Sequence, residues 1–194
     1  MEKFFLGLLI VFILLALPYF SKLYGLKKIN KSDIPETGDW VKLSRGHIYF
    51  EWFLPSSSIN PKGTMVLVHG FSTPSFVWGG LVNNFVNAGY KVLVYDHFGR
   101  GFSERPRVAY DKSLYLETLR ELISSQNIEE SVHLVGYSMG GPLAGYYADT
   151  YPEDTKSVSL IAPAGFSKVS SATKSWSTMP LIGDWVWLVF SGRL

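Results

Sequence analysis

Gly136-Tyr137-Ser138-Met139-Gly140, lying within Ser131 to Tyr151, carries the strongest structural signal in the chain. Ahead of it, Val132, Leu134 and Val135 form a short apolar, β-branched run that predicts a buried strand. Behind it, Pro142-Leu143-Ala144-Gly145-Tyr146-Tyr147-Ala148 predicts a helix. Ser138 then stands on the corner between the two. So sharp a turn forces the serine into a strained backbone conformation and brings neighbouring chain very close, so the side chains two residues to either side must nearly vanish. Gly136 and Gly140 meet that demand. The expected result is a hydroxyl held clear of the sheet edge, with the Met139 N–H at a helix N-terminus facing any negative charge that develops there.

Working upstream, Thr64-Met65-Val66-Leu67-Val68 has the nearly continuous apolar pattern of a strand covered on both faces, and it ends in His69-Gly70-Phe71-Ser72. Trp78, Leu81, Val82, Phe85 and Val86 recur at helical spacing up to Gly89, a natural stop, and Lys91-Val92-Leu93-Val94-Tyr95 reads as a second buried strand. Strand, helix and strand in that order predict a right-handed parallel crossover. The loop Asp96-His97-Phe98-Gly99-Arg100-Gly101-Phe102-Ser103 follows. Its glycines lack the G-x-G-x-x-G spacing of a dinucleotide loop, and no helix is expected directly after Gly101.

From about Trp40 to Gly165 the chain resembles the α/β-hydrolase family. The resemblance rests on the Gly-x-Ser-x-Gly elbow, the His69-Gly70 pair at the end of a strand, and the Asp96 to Ser103 loop, which matches Asp-x-x-Gly-x-Gly-x-Ser. It implies an α/β fold with a mostly parallel sheet and flanking helices. It further implies Ser138 as nucleophile and the backbone N–H groups of Phe71 and Met139 as the oxyanion hole. Ser72 stands where the family often carries a further glycine. His69 is expected to be a turn residue bonded to loop backbone, and Asp96 a turn-stabilising acceptor rather than a catalytic acid.

Elsewhere, Val41 to Leu43 and His47 to Phe53 read as a hairpin across Ser44-Arg45-Gly46, with Ile48, Phe50 and Trp52 on one face. Tyr115, Leu119, Leu122 and Ile123 form a helical stripe with Asp111 or Ser113 as cap. Ser157-Val158-Ser159-Leu160-Ile161 is the sixth expected strand, an exposed apolar edge. Beyond Phe166 the composition turns to serine, threonine and lysine and then to the tryptophan-rich Trp185-Val186-Trp187-Leu188-Val189-Phe190. The resemblance implies that a helical cap starts over 166–194, where the apolar segment either lines an acyl-binding cleft or packs on the core.

Phe4 to Ser21 contains no charged residue, which makes it long enough for a single-pass transmembrane anchor. Tyr19, Phe20 and Tyr24 beside Lys22, Lys27 and Lys28 resemble an interfacial belt. The alternative is a signal peptide, with a secreted or periplasmic product, but Ala16-Leu17-Pro18 puts proline where a small residue belongs. The organisation expected is therefore an anchor over 1–21, a linker over 22–39, a hydrolase core over 40–165 and the cap from 166.

With 194 residues and 47% hydrophobic content the chain has room for one sizeable core. A net charge of +2 without basic blocks argues against nucleic-acid binding, and the absence of cysteine removes disulfides and thiol catalysis. His47, His69, His97 and His133 are scattered singly, so neither a metal nor another cofactor is expected.

A serine nucleophile needs a base and a group to orient it, and the resemblance implies an acid and then a histidine later in the chain. After Ser138 come Asp149, Glu153, Asp154 and Asp184, but no histidine. The first expectation is a fragment or frameshifted product of a membrane-anchored carboxylic-ester hydrolase, essentially inactive as it stands, with a small-molecule or lipid ester such as an acylglycerol as substrate. The alternatives are an evolved inactive relative acting as a membrane-tethered binding module and, within the same fold, carbon–carbon bond hydrolases or peroxidases.

Overall fold

The computed structural model describes residues 2–24, 29–165, 182–183 and 185. These fall into two compact units, one built on the N-terminal helix with residues 182, 183 and 185, the other on residues 29–165. The N-terminal unit holds helix α1 (Glu2–Tyr24), which runs past Ser21 and carries Pro18 within it. Lys3–Lys22 is long and apolar enough to cross a membrane, and none of it is buried in the protein; a signal sequence has the same properties. The Trp185 indole N–H donates to the Leu15 carbonyl at 2.6 Å. The rest of the expected cap, and Lys27 and Lys28 of the expected belt, lie outside the described residues.

The larger unit is a six-stranded sheet in the order β1-β2-β4-β3-β5-β6. Its strands are β1 (Gly38–Leu43), β2 (Gly46–Phe53), β3 (Thr64–Val68), β4 (Lys91–Tyr95), β5 (Val132–Tyr137) and β6 (Thr155–Ile161). The β1-β2 hairpin is antiparallel and joins β4 antiparallel, whereas β4, β3, β5 and β6 run parallel. The first strand begins at Gly38, inside the expected linker, which also carries a 3-10 turn at Lys31–Asp33.

Alternation along the central strands splits the core into two layers. Leu67, Val92, Val94 and Val135 face Trp78, which ends the turn leading into α2 (Gly79–Asn87), and Val82 of that helix. Val66, Val68, Leu93 and Leu134 face Leu119 and Leu122 of α3 (Lys112–Ser125) and Leu143, Ala144 and Tyr147 of α4 (Gly140–Thr150). The odd and even residues of one strand thus serve different helices, which is why these strands read as unbroken apolar runs. Gly89, at φ +94°, ends the α2 connection, and Asp111 caps α3 by accepting the Leu114 N–H at 3.0 Å. Among the described strands β6 is an edge, with Leu160 half exposed.

Where α4 leaves β5 it passes almost in contact with the end of β3. A Cβ on Gly140 would lie 1.9 Å from the Val68 carbonyl oxygen, and one on Gly136 would lie 2.4 Å from the Gly140 oxygen. Both obstacles are backbone, so no side-chain rotation relieves them. Gly145, in the same helix, has open space around it. Gly140→Ala should therefore destabilise the chain by at least about 3 kcal/mol. Gly145→Ala should stabilise it by about 0.5–1 kcal/mol, through helix propensity alone. Urea unfolding followed by tryptophan fluorescence measures both.

Candidate active site

Ser138 occupies the left-handed region at φ +53°, where a non-glycine residue is strained. Its backbone is held from both sides: the N–H donates to the Ile161 carbonyl at 3.0 Å, and the carbonyl accepts from Gly141 at 3.1 Å and Ala164 at 2.9 Å. The segment after β6 therefore braces the bend. Gly141 belongs to that brace, since a Cβ there would come within 2.6 Å of Pro163 Cβ. On the other side Gly70 backs onto the serine, where an added Cβ would sit 3.0 Å from Ser138 Cβ.

The Ser138 side chain is half-buried, and among the described residues its Oγ makes no hydrogen bond. Met139 sits at the N-cap of α4 with φ −57° and ψ −33°, and its N–H likewise bonds no acceptor there. Such an amide at a helix start is suited to an anion.

The second expected donor, Phe71, follows Gly70 beyond β3, and its side chain is 45% exposed. The fully buried His69 controls the peptide between Gly70 and Phe71. Its Nε2 accepts the His97 backbone N–H at 2.9 Å, so its proton lies on Nδ1, which donates to the Gly70 carbonyl at 2.7 Å. In a trans peptide C=O and N–H point in opposite directions, so fixing the Gly70 carbonyl also fixes the heading of the Phe71 N–H. His97, also fully buried, donates from Nε2 to the His69 carbonyl at 3.1 Å. Three of the four ring nitrogens are thus bonded to backbone, His97 Nδ1 is buried without a partner, and neither ring hydrogen-bonds Ser138 Oγ among the described residues.

Asp96 has each carboxylate oxygen bound by a backbone N–H, Oδ1 from Ser75 at 2.7 Å and Oδ2 from Phe102 at 2.9 Å. Ser103 Oγ closes the same loop by donating to the Asp96 carbonyl at 2.6 Å and accepting the Tyr49 N–H at 2.9 Å. The Asp-x-x-Gly-x-Gly-x-Ser pattern is thus a scaffold that ties its own loop to Tyr49 of β2 and to Ser75 after β3. His133 stands near the start of β5, roughly 16 Å along the strand from Ser138 at about 3.3 Å per residue, and its Nδ1 meets Ser157 Oγ at 2.7 Å. His47 stacks on Trp40 and pairs with Glu104. A cleft lined by Arg120, Glu129, Glu130, Glu153 and Asp154 opens where β5 begins, at the end of the sheet away from Ser138.

The sequence model of the alpha/beta hydrolase fold matches residues 63–187, and the chain belongs to that family. It is 34% identical over 108 residues to Lipase 1 of Psychrobacter immobilis, covering 53% of this chain and 32% of the relative. It is 35% identical over 100 residues to a putative non-heme chloroperoxidase of Synechocystis, covering 51% and 36%. An esterase from Exiguobacterium antarcticum shares the fold at a TM-score of 0.60 and 24% identity, over 68% of this chain and 48% of that one. The chain spans about a third of the length of these curated relatives and about half of the solved structure.

Burial pushes the pKa of both His69 and His97 down; the Asp96 carboxylate partly opposes this at His69, while a charge on His69 would lower His97 further. The native state therefore refuses protons that the unfolded chain accepts below about pH 6.5, so stability falls as pH drops through that value. Each histidine contributes a slope of about 1.4 kcal/mol per pH unit until its native pKa is reached. Urea unfolding at pH 7 and pH 5 should differ by at least about 2 kcal/mol; equal stability at the two would contradict neutral, buried imidazoles.

Proposed function

We propose that the chain carries the nucleophile half of a serine hydrolase acting on carboxylic esters. Ser138 Oγ attacks the acyl carbon, the N–H groups of Phe71 and Met139 receive the oxyanion, the alcohol leaves with a proton, and water then releases the acid from the acyl-enzyme. The observation that carries this reading is the left-handed Ser138, whose hydroxyl makes no hydrogen bond among the described residues, beside the unbonded Met139 amide. The esterase and lipase relatives support the same class of reaction.

A base is the missing part. No histidine follows Ser138; both ring nitrogens of His69 and Nε2 of His97 bond backbone, and the remaining His97 Nδ1 is buried without a hydrogen-bond partner. Loss of the base typically removes on the order of a million-fold in turnover, whereas each oxyanion donor contributes about 3 kcal/mol. The 194-residue chain by itself is accordingly close to inactive. Helix α1 in the role of a membrane tether would keep the core at a surface that carries lipid esters such as acylglycerols, and the name of the Psychrobacter relative favours that class. The uncoupled Ser138 hydroxyl favours one other reading, a catalytically silent, membrane-tethered binding module of the same fold.

Fluorophosphonate labelling of the 194-residue chain separates the two. Ser138 should be labelled slowly, and free imidazole, standing in for the base, should accelerate labelling about tenfold or more, with none in Ser138→Ala. Labelling that ignores imidazole, or that falls on other residues, would favour the binding module.

A further inference from the structure

The geometry points to Arg100 as a positioning residue for the oxyanion site, a role that rests on the hydrolase reading above. Arg100 lies in the loop after β4, between Gly99 at φ +79° and Gly101 at φ +45°. That loop is braced throughout: Arg100 N–H donates to the His97 carbonyl at 3.0 Å, Ser103 N–H donates to the Arg100 carbonyl at 3.0 Å, and Asp96 holds Phe102. A Cβ on Gly101 would lie 1.9 Å from Asp96 Oδ2, so the turn that presents the arginine has no slack.

From this platform the side chain reaches a different loop. Nε–H donates to the Phe71 carbonyl at 2.5 Å, Nη1–H donates to the Gly99 carbonyl at 3.0 Å, and the guanidinium lies over the Phe71 ring with its carbon 4.3 Å from the centroid. Residue 71 is therefore gripped, among the described residues, through the peptides on both sides of it and through its ring. His69 fixes the peptide before it through the Gly70 carbonyl, and Arg100 fixes the peptide after it and the ring. Between those fixed planes the Phe71 N–H has one heading, set before any substrate arrives. Preorganised donors stabilise a developing oxyanion because they need no reorientation at the moment of reaction. Only arginine supplies this grip: a planar, permanently charged fork can donate to two carbonyls while stacking on a ring, and a lysine ammonium cannot.

A purely structural arginine would hold the two loops together for stability alone, and the two roles diverge in what each variant disturbs. In the imidazole-supplied labelling assay, Arg100→Met should lower the saturating rate of Ser138 labelling about a hundredfold, the size expected of a donor displaced by about an ångström. The concentration of probe giving half-saturation should stay nearly constant. Arg100→Lys, which keeps the charge and guards against a misfolded Met variant, should recover no more than about a tenth of the native rate. Arg107→Met removes the same charge from an exposed position and should label like the native chain.

A second readout is independent of labelling: the Phe71 amide resonance and its hydrogen exchange, measured by NMR, should change in both Arg100 variants and not in Arg107→Met. If native Ser138 resists labelling, the hydrolase reading falls, and the amide measurement alone decides whether Arg100 sets Phe71. An unmoved Phe71 amide, or native saturating rates in Arg100→Lys, would overturn the role assigned to Arg100.

Discussion

The near-contact between Gly140 and the Val68 carbonyl is the constraint on which the rest of this structure depends. It lets α4 start directly over the end of β3, and the chain reaches that start from β5 through the left-handed turn at Ser138. Strain at one residue is sustained because its surroundings over-determine it. The Ile161 carbonyl, Ala164 N–H and Gly141 N–H each bond the serine backbone, and Gly70 closes against its Cβ. The amide of Met139 is thereby left at the mouth of a helix with no internal acceptor among the described residues.

Around that bend two loops have separate duties. The loop after β4 is tied by the Asp96 carboxylate and the Ser103 hydroxyl both to its own backbone and to that of Tyr49 and Ser75. The loop after β3 is tied to its neighbour through His97 N–H on His69 and through the Arg100 guanidinium on Phe71. The two buried imidazoles serve this architecture by remaining neutral, because a proton on His69 Nε2 would remove the acceptor that His97 N–H requires. A histidine in a hydrolase loop therefore need not be a base; here its ring is part of the backbone wiring.

Much of this was legible in the sequence, for identifiable reasons. Strands β3, β4 and β5 declared themselves because burial on both faces leaves continuous apolar runs, and the bend at Ser138 because only Gly136 and Gly140 could tolerate the backbone crowding. Asp111 as cap and Gly89 as stop follow from local chemistry and needed no tertiary information. The sheet order was not legible, since strand pairing leaves no mark on composition. Nor was the brace from Ile161 and Ala164, which acts through main-chain groups that every residue possesses. Arg100 resembled any loop cation because its partner lies 29 positions away in another loop. The helix start was read near Pro142 although α4 begins at Gly140, as glycines are poor helix formers unless packing demands them.

The claim beneath the whole account is that Ser138 is held in a left-handed backbone conformation in the free chain. Solution NMR of the isotope-labelled protein, combining the amide-to-Hα coupling with cross-correlated relaxation at residue 138, measures that angle directly. A positive φ near +53° is the predicted result. A negative, helical φ would mean that α4 simply continues through residue 138, and no presented hydroxyl or gathered amide would remain.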